Sequence, residues 1–275
     1  MPSLWTRDVE VGSSVGSVCA ESTSGSRPIA LVDHFSMRLQ SSLKNPISVA
    51  VVAVAVIVAQ GCASTSSTVM QQGSARGRAS LPAANYAALE HGVIDELNFA
   101  RSNPQGYADV LERDLQFYQG TLFRRPGDES ALQTREGAAA VREAIRVLRQ
   151  TRPLAPLRIS EGMTLGARDH VKDQAPRGLM NHRGTDGTQA WDRVSRYGDW
   201  KAKISENMTF GPATPHDVVA ALLIDDGISD RGHRKNILDP DVKVVGISCG
   251  SHKSYRVMCD MVHAGGFVDR VAVGR

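Results

Sequence analysis

Apolar positions recur at helical spacing from residue 89 onward. Leu89, Val93, Leu97 and Ala100 fall on one face and predict a helix of about a dozen residues, ending near Asn103-Pro104. A second helical stretch covers Tyr107–Tyr118, and a polar insert, Gly120–Asp128, separates it from a third over Thr134–Gln150, where Val141, Ile145 and Leu148 line one side. Pro153 and Pro156 interrupt the chain before Ser160, a predicted N-cap; in the helix that follows, Met163, Ala167, His170 and Gln174 share a face. Thr214 is placed to cap a further helix, with Pro215 at its first position, Asp217 completing a capping-box-like pair and Gly227 as its stop. Between these marks Val218–Ile224 is apolar all round, which predicts a buried helix. Ser229 or Asp230 can start a short helix carrying His233, which stops before Pro240. The last stretch changes character. Val242–Ser248 and Tyr255–Met261 are β-branched-rich runs around Gly250-Ser251-His252, a hairpin signal. Helices first and strands last, without βα alternation or internal repeats, predict an α+β fold with an antiparallel sheet.

Upstream of residue 81 the pattern is different. Arg38 and Lys44 precede Val49–Ala59, an uncharged apolar run whose eleven residues are too few for a membrane-spanning helix but suit a signal-peptide core. Gln60-Gly61-Cys62 follows at once and resembles the bacterial lipobox, in which the thiol is acylated and becomes the new N-terminus; Ala59 stands where leucine is usual. Residues 1–62 are therefore expected to be a leader, with translation starting at Met37, residues 1–36 lying before the true start, and 37–61 forming the lipoprotein signal. A retained single-pass anchor over 47–61 is the alternative, and the domain is exported in either case. Residues 63–85 are expected to form a flexible linker, Ser/Thr/Gln/Gly-rich over Ala63–Ser80, leaving 86–275 as one folded domain.

Composition and charge narrow the partners. The formal charge is +3, and residues 1–62 hold four basic and four acidic side chains, so their removal leaves it unchanged. With no Lys/Arg cluster, there is no electrostatic footprint for nucleic acid. Cys19, Cys62, Cys249 and Cys259 form no CxxC pair, which removes zinc-ribbon and thioredoxin-type sites. Cys249 and Cys259 lie on the two predicted strands, and an oxidising compartment favours a disulfide between them. A tight loop at 251–253 would instead pair Cys249 with Tyr255, so the bridge requires a longer or bulged loop.

Four segments concentrate chemistry: Asn181-His182-Arg183-Gly184, Glu206-Asn207-Met208, Asp225-Asp226-Gly227 and Gly232-His233-Arg234. Two imidazoles and two or more carboxylates could hold a divalent cation or work as acid–base partners, provided the fold brings them together. Other candidates have structural readings: His170 as a satisfied core histidine, His252 as an exposed hairpin tip, Asn98 and Arg101 as anchors of the first helix, and Asp186-Gly187 as a turn.

The order of these motifs carries a resemblance. Asn98-Phe99-Ala100-Arg101, His170, His182 with Asp186-Gly187, Arg193 and Gly198, Glu206-Asn207-Met208 with Gly211, and Gly232-His233-Arg234-Lys235-Asn236-Ile237-Leu238 resemble the CAP superfamily in its bacterial extracellular branch. That superfamily groups cysteine-rich secretory proteins, antigen five and plant pathogenesis-related proteins. The resemblance spans about Leu89 to Val268 and implies an α-β-α sandwich, with a central antiparallel sheet between helical layers. It implies a cleft cluster of His182, Glu206, Asp225 and His233, with His182 and His233 as ligands for a zinc ion in some members. The family's second acid is usually Glu, three residues after a Trp; Leu222 and Asp225 occupy those positions here, and the shorter Asp puts its reach in question. Helical periodicity does not choose between Asp225 and Asp226; the resemblance favours Asp225. Two functions follow as expectations. One is a binding module, held at the membrane through lipidated Cys62, for an apolar (lipid- or sterol-like) or glycan ligand in the cell envelope. The other is a divalent-metal-dependent hydrolase, in which zinc on His182 and His233 activates water and Glu206 acts as base. The chain has no nucleophile elbow, HExxH or Ser/His/Asp order, so enzyme status rests on the cluster alone.

Overall fold

The computed structural model describes residues 27–28, 35–38, 83–128 and 130–270. Cys19, Cys62, the apolar run Val49–Ala59 and the linker as far as residue 82 lie outside the described residues. Among those described, no helix is long and apolar enough to cross a membrane.

The first helix, α1 (Ala83–Ser102), is longer than its apolar stripe, because the alanines and the absence of a breaker extend it upstream of Leu89. Ala83–Asn85, assigned to the linker from sequence, are its first turn. Asn103 ends α1 and caps α2 (Pro104–Asp114): its side chain accepts a hydrogen bond from the Gly106 amide, and Pro104 takes the first helical position. The polar insert contributes β3 (Tyr118–Gln119), β4 (Leu122–Phe123) and β5 (Leu132–Gln133), which with β1 (Arg27–Pro28) make a small sheet in the order β1-β5-β4-β3. Then come α3 (Ala138–Gln150), β6 (Arg158–Ile159), α4 (Glu161–Gln174), α5 (Ala190–Val194), β7 (Gly198–Phe210), α6 (Pro215–Ile224), α7 (Gly232–Ile237), β8 (Val244–His252) and β9 (Arg256–Asp269).

The central sheet has the order β2-β7-β9-β8-β6, where β2 is Phe35–Arg38 paired antiparallel to β7. Along β9 the alternation of strand side chains decides the two cores. Val257, Cys259 and Met261 join the core built with α1, α2, α3 and α6, while Met258, Val262 and Ala264 meet residues of α4 and α5. The result is an α-β-α sandwich. The approach of α4 is set by Gly246 on β8, where a Cβ would lie 2.2 Å from the Met163 carbonyl carbon and 2.3 Å from the Thr164 nitrogen.

Arg101 joins α1 to the far end of the fold. It is 1 % exposed, and its guanidinium donates to the carbonyls of Ala155, Ile237, Asp239 and Val242. Asn98 works alongside it, exchanging two hydrogen bonds with the backbone of Leu157. Both residues anchor the first helix.

The hairpin differs from its sequence reading. The turn is Lys253-Ser254-Tyr255, so His252 pairs with Arg256 and Cys249 stands opposite Cys259. Their sulfurs are joined at 2.04 Å with Cα atoms 4.1 Å apart. A tight loop two residues further along removes the register problem, with neither a longer nor a bulged loop. His252 is consequently buried at 2 % exposure rather than an exposed tip. Its Nδ1 accepts from the Ser254 and Tyr255 amides, its Nε2 meets the Leu179 carbonyl at 3.0 Å, and its ring packs edge-on to Phe210.

Candidate functional site

Glu206 sits on β7 opposite Val262, and strand alternation directs it towards the α4 layer. It is fully buried and answered from two sides. His182, in the loop after α4, places Nδ1 2.6 Å from Oε2, and Arg193 of α5 donates Nη2 to Oε1. Arg193 also donates to the carbonyls of His182 and Thr188, so one guanidinium fixes both the carboxylate and the loop carrying the imidazole. That loop is a built turn: Asp186 accepts from the Thr188 amide and hydroxyl, Gly187 takes φ +85°, and Asp173 accepts from the Thr185 amide. His170, buried on α4, meets the Asn181 carbonyl at 2.8 Å through Nε2, while its Nδ1 has no partner among the described residues. Burial pushes the His170 ring down to about 4, so it is neutral.

Burial alone would raise the Glu206 carboxyl. The Arg193 charge and the His182 hydrogen bond outweigh it and hold the group down at about 2. Asp260, on the neighbouring strand β9, behaves oppositely. It is fully buried, neither oxygen receives a hydrogen bond among the described residues, and burial followed by repulsion from Glu206 pushes its carboxyl well up. Burial and the Glu206 charge both favour the protonated form of Asp260. Asp260→Asn should be tolerated, because an amide replaces a group that is already uncharged. A raised folded pKa means stability is lost as pH climbs above the ordinary 3.8 of an aspartate. The variant should thus be at least as stable as the parent at pH 8, with the gap closing towards pH 4 in urea titrations.

The second pair lies in the α6–α7 layer. Asp225 ends α6 in the left-handed conformation, φ +58°, with its amide donating to Ala221, so the helix stops two residues before Gly227. That turn aims the carboxylate at α7. Oδ1 lies 2.7 Å from His233 Nδ1, and Oδ2 accepts from the His233 and Arg234 amides. His233 and Asp225 are both fully buried. Asp226 instead accepts from the Arg135 and Glu136 amides, so contact assigns the pairing to Asp225. Asn207 points to the opposite face from Glu206, donates to the His233 carbonyl and accepts from Asn236. The two His–carboxylate pairs therefore meet β7 from opposite faces.

In each pair the carboxylate meets Nδ1 and so orients the ring. Such orientation is common behind metal-ligating histidines. Yet among the described residues no three His, Cys, Asp or Glu side chains converge in a group able to hold a cation. Glu206 is committed to Arg193 and His182, and Asp225 to His233 and two amides. Among the described residues these carboxylates are committed to protein partners and are not gathered as a ligand set.

Residues 142–261 match the model of the cysteine-rich secretory protein family, CAP, a span that includes all four residues of the two pairs. The matched stretch, residues 142–261, is a CAP domain. Over 99 residues the chain is 30 % identical to the uncharacterized protein YkwD of Bacillus subtilis (strain 168), covering 36 % of this chain and 37 % of the relative. The chain thus spans little more than a third of the length of that curated relative. Among solved structures, similarity is found to an outer surface protein from Borrelia burgdorferi (16 % identity, 40 % of this chain and 78 % of that one, TM-score 0.34). An extracellular protein containing a SCP domain from Bacillus anthracis str. Ames is similar at 18 % identity, 44 % of this chain and 37 % of that one, again with TM-score 0.34.

Two members of the CAP-domain site went unpicked in the sequence. Arg193 was visible only as part of the family order. Asp260 had a usable signal: an acid inside the apolar run Val257–Met261, where a strand buries every side chain.

Proposed function

We propose that this chain is an exported CAP-domain protein, tethered in the cell envelope through lipidated Cys62, that binds a ligand combining an apolar part with hydroxyl groups. The observation that carries this reading is a depression of about 410 Å³ beside His182. Leu179 and Met180 supply its apolar side, and the exposed Asn181, Arg183 and Thr185 supply its polar side. Leu179, 39 % exposed, and half-buried Met180 put apolar surface side by side on this depression, which suits a lipid-like ligand better than a glycan alone. Export is supported by the leader pattern that ends at Cys62 and by a family described as secretory.

The hydrolase reading asks Glu206 to act as a base. A carboxyl held at about 2 by an arginine is a poor proton acceptor near neutrality. Binding is the better-supported use of this geometry.

Solvent extraction of protein purified from the envelope, followed by mass spectrometry, should recover a lipid in stoichiometric amount. Leu179→Asp should reduce that recovery about tenfold while the circular dichroism spectrum is unchanged. An empty extract, together with no saturable binding to lipid micelles or glycan fragments, removes the binding-module reading. A zinc isotherm that is lost in His182→Ala with His233→Ala would restore the metal route.

A further inference from the structure

The outer edge of β7 is occupied by residues that the proposed processing removes. Phe35 pairs with Glu206, Ser36 with Ser205, Met37 with Ile204 and Arg38 with Lys203, in antiparallel register. All four of the pairing residues lie upstream of Cys62, and Phe35 and Ser36 also precede Met37, so a start at either methionine leaves the processed protein without this strand. If Cys62 becomes the N-terminus, this strand departs with the leader while β7 remains. The N–H and C=O groups of β7 that faced it are then left without partners. Open edges of this kind template pairing with another chain, and proteins rarely leave them bare. The edge is also bounded: Ala202 takes φ +66°, the β7/β9 register shifts between Lys201 and Ile204, and the Lys203 ammonium is tied to Asp239. A bulge at one end limits how far an added strand can run.

We propose that the edge of β7 from Lys203 to Glu206 is a peptide-binding site in the processed protein. It accepts an extended segment of another polypeptide as an added antiparallel strand, in the place that Phe35–Arg38 takes in the full chain. The inference rests on processing at Cys62. Main-chain hydrogen bonds supply the affinity in this mode, and alternate side chains supply the selectivity. The covering segment gives the pattern that fits: apolar Phe35 and Met37 alternate with polar Ser36 and Arg38, and register sets the apolar pair opposite Glu206 and Ile204. A partner segment with apolar residues at alternate positions is the expected ligand. It would lie along the backbone of Glu206, so occupancy of the edge reaches the residue that positions His182.

The test uses protein purified from the envelope and a fluorescent peptide spanning residues 33–40. Mass spectrometry first establishes whether the N-terminus is at Cys62. The processed protein should bind the peptide saturably, and full-length chain at least tenfold more weakly, because the edge is filled in cis. Two N-methylated peptides give the signature of a strand. One is methylated at the Phe35 and Met37 amides, the other at Ser36 and Arg38; since only alternate amides donate into a ladder, one should bind like the parent and the other at least tenfold more weakly. Amide exchange over Lys203–Glu206 should slow on binding. No binding by processed protein, equal behaviour of the two methylated peptides, or protection elsewhere overturns the proposal. A mature protein that still carries residues 35–38 overturns the processing premise alone. In that protein Ser36→Pro with Met37→Pro should speed exchange over Lys203–Glu206 and admit the peptide in trans; failure of both then overturns the edge site.

Discussion

Arg193→Met should destabilise the domain by about 3–5 kcal/mol, the usual cost of stripping one partner from a buried ion pair. For a domain of this size that lowers the thermal midpoint by roughly 10 °C. Arg193 is 2 % exposed and gives its protons to Glu206 and to the carbonyls of His182 and Thr188. Its loss strips the buried Glu206 carboxylate of the guanidinium that meets Oε1. The loss has a pH signature. A carboxyl with a depressed folded pKa stabilises above its unfolded value of 4.5, and that contribution disappears as pH falls through about 2. The gap between parent and variant should therefore be widest above pH 4.5 and narrow in acid. Arg193→Lys should recover only part of it, because an ammonium cannot fork to carboxylate and carbonyls together. A gap independent of pH would mean that Arg193 acts by packing alone.

Arg101→Met should cost a similar amount, on different grounds. No buried carboxylate is stranded; instead the carbonyls of Ala155, Ile237, Asp239 and Val242 lose their donor. At about 1 kcal/mol for each abandoned acceptor, the sum is roughly 4 kcal/mol. Amide exchange should rise first in the segments around those carbonyls, on the far side of the fold from the α4 layer, while the His182–Glu206 contact persists. Loss spread evenly over the whole domain would argue against a local clamp.

These two arginines mark what the sequence could and could not disclose. The start of α6 was legible because Thr214, Pro215 and Asp217 are local signals that act through neighbours three residues away, and the Thr214 side chain does accept from the Asp217 amide. The end of α6 was not, since Gly227 is the residue that tolerates φ > 0 most easily, yet Asp225 adopts it and uses its carboxylate on α7. The strand β7 escaped for a related reason. Ile204, Met208 and Phe210 alternate as a strand should, but Glu206 breaks the apolar set, and the bulge before Ile204 shifts the period. The residue that makes the site is the one that hides the strand. His252 misled because Gly250-Ser251 is a stronger turn signal than Lys253-Ser254-Tyr255, and the register in which Cys249 faces Cys259 overrides it. The family order singled out His182, Glu206, Asp225 and His233 as one cluster, and it took the fold to divide them into two pairs. The burial of Asp260 on the same face as Glu206 required the strands to be placed.

The strand order β2-β7-β9-β8-β6 has a consequence for how the protein is made. β9 lies between β7 and β8, yet it follows every other described element in the chain. In the export proposed above, a polypeptide threaded N-terminus first through a translocation pore can form α1 to α4 as soon as they emerge. β7 and β8 cannot join until residues 256–269 have crossed, because both pair with that strand and not with each other. The topology thus keeps the sheet unassembled for most of the transit and closes it with a single late insertion.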